Sequence, residues 1–460
     1  MSTSTADQIA LHALDFVSPS IHISLHRFFR RPEKLSEQDV VEILKKSLDE
    51  TLKLYPPAAG TIRTNEQGEH YIAVDGNGGE FLVESRKEAF EGDGDDLSPR
   101  PNLFVPIPSP AFAVKVTQFS CGTISVAASL HHWAADLRGF LDFLATWSKI
   151  ARSQGGRNEA IDLTFPDDWS HTPNRFFTDY IDSALPVPPA PNGYSVQPPP
   201  KEPVDFSGFV LPSANVSLWK IPQATVDKLK EDFVQAVQHV TEHPTPSGWI
   251  SRGDALAALL WGAITRARVN AGVARAHART DDTETLGMAA DGRDRSPNKN
   301  MAGGRYFGNF NMLPLITVPR AELLSTEVDA AARVAHTIRE NIHTQISSQA
   351  IADRLRFMEA PENAIPGDRI KWAADMSYTN WCAFDLEGED MDFGFGRPFE
   401  TTSGGGPLPP GFARLWQQKS SGDIFVVLAV DAGEAAAVLK SDALLTLYAH
   451  HERDLQDAEE

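Results

Sequence analysis

Between Leu185 and Ser207 the chain reads LPVPPAPNGYSVQPPPKEPVDFS, and no other stretch constrains the fold as strongly. Proline fixes φ near −65° and has no N–H to donate, so a run this dense in it can be neither helix interior nor central strand. Such segments act as semi-rigid extended spacers. The spacer divides the 460 residues into an N-terminal domain over 1–190, a crossover linker over 191–210 and a C-terminal domain over 211–460. Both larger parts are of ordinary domain size. No repeat of about 20–50 residues is visible, which removes solenoids and propellers.

Each part mixes both periodicities. From Ser36 to Lys53, Val40, Val41, Leu44, Leu48 and Leu52 recur at helical spacing. Phe112, Val114, Val116 and Phe119 alternate with polar or small residues, and after the turn at SCG an apolar run follows from Thr123 to Leu130. That pattern predicts a hairpin whose second strand is buried. Beyond the spacer, Val216–Ile221 reads as a strand and Ala224–Val240 as a helix. Ser251–Ala267 reads as a second helix, opened by a capping box of Ser251 and Asp254. Asp423–Val430 and Glu434–Leu439 read as a further strand and short helix. The expectation is an α/β fold in two domains.

Composition narrows the function. Lys and Arg total 42 against 62 Asp and Glu, a net charge of −20. Such a chain repels a phosphate backbone and an anionic bilayer, so neither nucleic acid nor membrane is an expected partner. Only Cys121 and Cys382 occur, which excludes a disulfide scaffold and a four-cysteine metal site. The longest uncharged apolar stretch, Ala255–Ile264, is far short of the roughly 20 residues that cross a bilayer. The N-terminus has no basic start or apolar core of a secretory signal. A cytoplasmic monomer is expected.

Phosphate-binding glycine loops, CxxC and GxSxG are absent. His239-Val-Thr-Glu242-His243 matches HxxEH, but Pro244 and Pro246 follow at once, so His243 falls at a fraying helix end and zinc chemistry is disfavoured. HxxxD occurs three times, at His132/Asp136, His277/Asp281 and His450/Asp454. His277 lies in a charged loop and His450 in the acidic C-terminal tail. Only His132 follows a buried strand at its end, where a rigid scaffold commonly presents catalytic side chains. A neutral imidazole can take a proton from a hydroxyl or amine and return it to a leaving group. A core histidine with satisfied hydrogen bonds is the competing explanation.

An ordered set of segments decides between them. HHWAAD (131–136) resembles the HxxxD motif of the BAHD acyltransferases, the acyl-CoA-dependent transferases of plant and fungal secondary metabolism. DFGFG (392–396) resembles their DFGWG motif. Between and before these, YPPAAGTIR (55–63), SRGDALAALLWGAITRAR (251–268), DGRDR (291–295), YFGN (306–309) and YTNW (378–381) are similar to further family segments, in the family's order. The resemblance implies two chloramphenicol-acetyltransferase-like domains with a tunnel between them. It implies acyl-CoA as co-substrate, a small-molecule acceptor, no permanently bound cofactor and no metal. His132 is implied as general base for direct attack of the acceptor on the thioester. The Trp381 N–H, with Thr379 nearby, is implied as the oxyanion donor. Asp136 is implied to point away from His132 and to hold its loop through an arginine. Asp392 is implied as an ion-pair anchor with Arg293 as partner. Ser251 and Arg252, at a helix start, are the candidates for coenzyme A phosphates.

Two residues depart from the pattern. Leu137 replaces the glycine after the motif aspartate, with Gly139 two positions on, and Phe395 replaces the tryptophan of DFGWG. These departures raise a non-catalytic binding protein on the same fold as one alternative. A condensation-domain-like catalyst that takes acyl groups from a carrier protein is another.

Overall fold

A computed structural model describes residues 7–100, 104–154, 163–182, 184–198, 212–240, 249–274, 282–297, 301, 305–364, 369–404 and 408–456. The N-terminal hairpin forms as its alternation predicts. Phe112–Phe119 and Thr123–His131 run antiparallel in the register Phe112↔Leu130. Gly122 takes φ +81° in the turn between them, a conformation glycine adopts without penalty. All nine residues of Thr123–His131 are buried. The hairpin lies inside a five-stranded sheet ordered Glu400–Thr402, His22–Arg30, Thr123–His131, Phe112–Phe119, Gly79–Arg86.

Helix Glu37–Leu54 starts at Ser36, whose side chain accepts from Asp39 N, and it packs with helix Leu137–Gln154 over one side of that sheet. Val126, Ala128 and Leu130 meet Phe140, Phe143, Leu144 and Trp147 there, all essentially fully buried. Burying one such aromatic side chain stabilises by about 1.5–3 kcal/mol.

The C-terminal half is built on a seven-stranded sheet. Its order is Leu315–Pro319, Thr283–Met288, Met376–Asn380, Phe412–Gln417, Ile424–Asp431, Ala214–Ile221, His450–Gln456. The two sides of this sheet have different neighbours. Val426, Leu428 and Val430 pack with helix Arg252–Asn270. Trp416, Val427 and Ala429 belong to the same buried cluster as the N-terminal sheet, so this face is turned toward the other half. His450, read from sequence as part of a charged tail, instead opens an edge strand paired with Ala214–Ile221.

The DFGFG segment returns to the N-terminal half. Phe393 is fully buried, 4.6 Å from the Trp147 ring centroid and 5.7 Å from Phe29. Just beyond it, Glu400–Thr402 pairs antiparallel with His22–Arg30. Of the proline-rich spacer, Tyr194–Val196 forms a small two-stranded ladder with Ile370–Trp372, and residues 199–211 lie outside the described part, as do Glu242 and His243 of HVTEH and His277.

Candidate active site

His132 follows the buried strand Thr123–His131, and its backbone N–H donates to Ile21 O at 2.8 Å. Strand pairing therefore fixes where the ring begins. Two contacts then orient the ring. Nδ1 lies 3.1 Å from Asn309 Oδ1, and Nε2 lies 3.2 Å from Ser18 Oγ.

Asn309 determines which nitrogen carries the proton. Its Nδ2 donates to His132 O at 2.7 Å and to Asp15 Oδ1 at 2.9 Å. A carbonyl and a carboxylate oxygen can only accept, so the amide nitrogen must face them and its oxygen must face His132 Nδ1. Nδ1 is then the protonated nitrogen, and Nε2 keeps the lone pair. Burial lowers the His132 pKa from its ordinary value, against weaker opposing contributions that include Asp136, Asn309 and Asp15, so the ring is neutral at pH 7. Asp15 is fully buried, and its other oxygen lies 2.7 Å from His171 Nδ1. His132, Asn309, Asp15 and His171 thus form one hydrogen-bonded chain.

Asp136 forms no hydrogen bond with the His132 ring. Its two oxygens take a bidentate pair from Arg293, at 2.9 and 3.0 Å, and accept Phe310 N at 2.8 Å and Gly139 N at 3.2 Å. Arg293 also donates to Asp291 Oδ1 and Gly308 O. Burial pushes the Asp136 carboxyl up, but Arg293 and the Phe310 and Gly139 N–H groups together outweigh it and hold the pKa below the ordinary value. Asp136 is thus bound to an arginine, Arg293. The expected pairing of Arg293 with Asp392 does not form, because the guanidinium is committed to Asp136 and Asp291. Asp392 Oδ1 instead accepts Gly394 N at 2.6 Å and Gly396 N at 2.9 Å, and both glycines sit at positive φ. From helix Leu137–Gln154, Arg152 donates to the carbonyls of Glu389 and Asp392. The DFGFG loop is therefore pinned to the N-terminal half.

Leu137 occupies the first position of helix Leu137–Gln154, where right-handed geometry needs no glycine. The glycine that matters is Gly139. A Cβ there would come within 2.2 Å of Phe307 O, so the YFGN segment could not approach the helix start.

Thr379 and Trp381 come from the other half, on and just after strand Met376–Asn380. The indole Nε1 donates to Thr379 Oγ1 at 3.1 Å. With its oxygen accepting, the Thr379 hydroxyl proton can be donated elsewhere. Ser251 caps helix Arg252–Asn270 in the predicted capping box, accepting from Asp254 N at 3.1 Å. Arg252 pairs with Asp227. This helix start abuts the same strand, since Tyr378 OH donates to Gly253 O at 3.4 Å.

Asn309, Asp15, Ser18 and His171 were not singled out from sequence. Asn309 ends the YFGN segment, so a signal for it existed without a role. Asp15 is 294 residues away from Asn309, and nothing local marks it. Among the described residues no three His, Cys, Asp or Glu side chains are placed to hold a metal, and no helix is long and apolar enough to cross a membrane.

His131 is a fully buried neighbour with a different task. Its Nδ1 accepts Trp133 N, so Nε2 carries the proton toward Ser20 Oγ. Burial, then the nearby His132 and His70, push its pKa down to about 3. Above pH 6.5 the ring is neutral folded or unfolded and pH has no effect through it. Below 6.5 the unfolded chain takes up a proton that the folded chain refuses until about pH 3, so stability falls with pH across that window. By pH 5 the loss through His131 is ~2 kcal/mol. His131→Gln should shrink the difference in denaturant stability between pH 7 and pH 5 by about that amount, measured by urea unfolding at both values. An unchanged difference would mean that the ring is protonated in the folded protein.

Residues 1–406 match the Transferase family. The chain belongs to that family, the BAHD acyltransferases. It is 26% identical over 410 residues to the shikimate O-hydroxycinnamoyltransferase of Nicotiana tabacum, covering 85% of each chain. Its fold matches F. graminearum TRI101 complexed with coenzyme A and T-2 mycotoxin, with TM-score 0.73 at 16% identity over 97% of this chain and 100% of that one. Vinorine synthase matches with TM-score 0.65 at 18% identity, over 97% and 95%. The mixed α/β architecture described above is thus the chloramphenicol-acetyltransferase-like fold of BAHD enzymes. Within this BAHD chain, Phe395 keeps an aromatic ring in the packing, 6.2 Å from Phe29 and 6.4 Å from Phe393.

Proposed function

We propose that the protein transfers an acyl group from acyl-CoA to a hydroxyl or amine of a small-molecule acceptor, by direct attack and with His132 as general base. The observation that carries this reading is the orientation of Asn309, which leaves the lone pair on His132 Nε2. That nitrogen removes the acceptor proton as the acceptor oxygen or nitrogen bonds to the thioester carbon. The tetrahedral intermediate collapses with cleavage of the C–S bond, and the imidazolium returns its proton to the coenzyme A thiolate. No acyl-enzyme is formed.

The oxyanion of the intermediate needs a donor held in place beforehand. Trp381 already donates to Thr379, so Thr379 O–H is the donor in this reading and Trp381 fixes its direction. Thr379→Val should then lower kcat by about 10²-fold, the cost of one such donor. Trp381→Phe should cost less. Equal KM in wild type and Thr379→Val would place the lost interaction in the transition state alone. A larger loss in Trp381→Phe than in Thr379→Val would make the indole itself the donor.

For the coenzyme, the start of helix Arg252–Asn270 offers a positive dipole end next to strand Met376–Asn380. Ser251 and Arg252 lie there, and Arg252 would have to exchange Asp227 for a phosphate. The test of the whole reading is release of free thiol from acetyl-CoA and a hydroxycinnamoyl-CoA, with a panel of hydroxylated and amino acceptors and with mass detection of the acylated product. Thiol release without acylated product, or no release with any pair, would overturn it.

A further inference from the structure

Among the described residues three guanidinium groups combine a buried nitrogen that has no hydrogen-bond partner with the lack of a carboxylate at ion-pair distance, Arg27, Arg354 and Arg414, and they differ in what can reach them. Arg354 is buried against the Tyr194 ring, 5.3 Å from its centroid. Arg27 is fully buried under the DFGFG loop, where its Nη1 touches Met391 Sδ and its guanidinium carbon lies 4.7 Å from the Phe393 ring centroid. Nothing from solvent meets it there. Arg414 is half-buried, with no hydrogen bond at its buried Nε and no ion pair among the described residues.

Arg414 has a defined position. On strand Phe412–Gln417 its Cα is the direct partner of Thr379 across the parallel ladder. Neighbouring residues at the same level of adjacent strands project from the same face. That face is the one turned toward the N-terminal half, which Trp416 and Val427 also line. The guanidinium carbon sits 5.1 Å from the Trp381 ring centroid. Stacking on an aromatic uses the flat side of a guanidinium and leaves the N–H donors along its edge.

A cation withdrawn from water without a partner is costly, and a compensating anion relieves that cost. The carboxylate whose charge acts on Arg414 is Asp93, but it is engaged with His26 Nδ1 at 2.7 Å and with Thr402 Oγ1. Burial lowers the Arg414 pKa to about 10, which still leaves it charged at neutral pH.

We propose that Arg414 binds a carboxylate carried by one of the two reactants, so that the protein acts on carboxylate-bearing substrates. The proposal rests on the acyltransferase reading, because Thr379 and Trp381 mark the reacting carbonyl only if that reading holds. A carboxylate fits the guanidinium edge with two parallel hydrogen bonds, and Lys cannot reproduce that geometry. The carboxylate could belong to the acceptor or to the acyl group, and the chemistry of recognition is the same.

The experiment measures kcat and KM for wild type, Arg414→Met and Arg414→Lys by thiol release. In one arm, hydroxybenzoates, cyclic polyol carboxylates and amino acids are each assayed beside their methyl esters with acetyl-CoA. In the other, malonyl-CoA is compared with acetyl-CoA on neutral alcohols. Melting curves confirm that the variants fold. Wild type should favour the free acid over its ester, or malonyl over acetyl, by at least about 10-fold in kcat/KM, a single charge-assisted interaction of ordinary size. Arg414→Met should remove that preference through KM, and Arg414→Lys should restore part of it. Preference in the first arm assigns the carboxylate to the acceptor, and preference in the second assigns it to the acyl group. Turnover of esters and acetyl groups with no preference, or a preference that Arg414→Met leaves intact, overturns the Arg414 proposal while the acyltransferase reading stands. No thiol release with any pair overturns that reading, and this one with it.

Discussion

His132→Ala is expected to lower kcat by about 10²–10⁴-fold while leaving the melting temperature within a few degrees of wild type. The ring's hydrogen bonds to Ser18 and Asn309 are long, at 3.2 and 3.1 Å, so little stability resides in them. The backbone bonds that place the residue, from His132 N to Ile21 O and from Asn309 Nδ2 to His132 O, survive the substitution. Chemistry should therefore be lost without unfolding. The acid side of the wild-type profile adds a second check. Activity requires neutral His132, and burial lowers its pKa. Loss of kcat/KM on acidification should therefore have its midpoint below 6.5, the value of a free imidazole. A midpoint above 6.5, or near-normal turnover by a folded His132→Ala enzyme, would remove His132 from the role of base.

How much of this was legible in the sequence depends on how far each interaction reaches along the chain. The helix over 36–53, the Ser251 cap, the hairpin over 112–131 and the strand that ends just before His132 rest on local periodicity and near-neighbour hydrogen bonds, and the structure has them where the pattern puts them. His132 itself could be chosen over His277 and His450 because the run before it was readable as a buried strand. What was not legible is the pairing of charges. Arg293 carries the same signal toward Asp136 and Asp392, since charge and chain order do not encode which carboxylate it reaches. The close approach of YFGN to Gly139 decides that contest, because it brings Gly308 O and Phe310 N to the side of Asp136. The Asp15–Asn309–His132 chain was hidden for the same reason, with its members drawn from three distant segments. Nor does a motif show which arginine lacks a partner. Arg414 stands in an ordinary alternating strand and becomes noticeable only when its neighbours across the sheet are known.

Arg293→Met should behave in the opposite way to His132→Ala, with a large loss of stability and a loss of activity that follows from it. Removing the guanidinium leaves Asp136 buried with a full charge and only the Phe310 and Gly139 N–H groups to satisfy it. Stranding one member of a buried pair costs ~3–5 kcal/mol. The damage is local to the site as well, because Arg293 also ties Gly308 O, one residue from the Asn309 that orients His132. Adding Asp136→Asn to Arg293→Met should recover part of the stability, since the orphaned charge is then gone, and this recovery separates a structural pair from two independent losses. The pH dependence distinguishes the pair from the histidines. Asp136 has a lowered pKa, so its contribution is complete above the ordinary carboxylate range and is lost only as pH falls through the lowered value. In Arg293→Met burial raises the Asp136 pKa with no cation to oppose it, so protonation of the orphaned carboxylate should offset part of the stability that buried imidazoles such as His131 lose between pH 7 and pH 5, and the double variant should show that loss in full. Thermal and urea unfolding of wild type, Arg293→Met and the double variant at both pH values would measure each term. An Arg293→Met protein as stable as wild type but inactive would show that the guanidinium acts on the reaction itself, and the anchoring role assigned to Asp136 and Arg293 would be wrong.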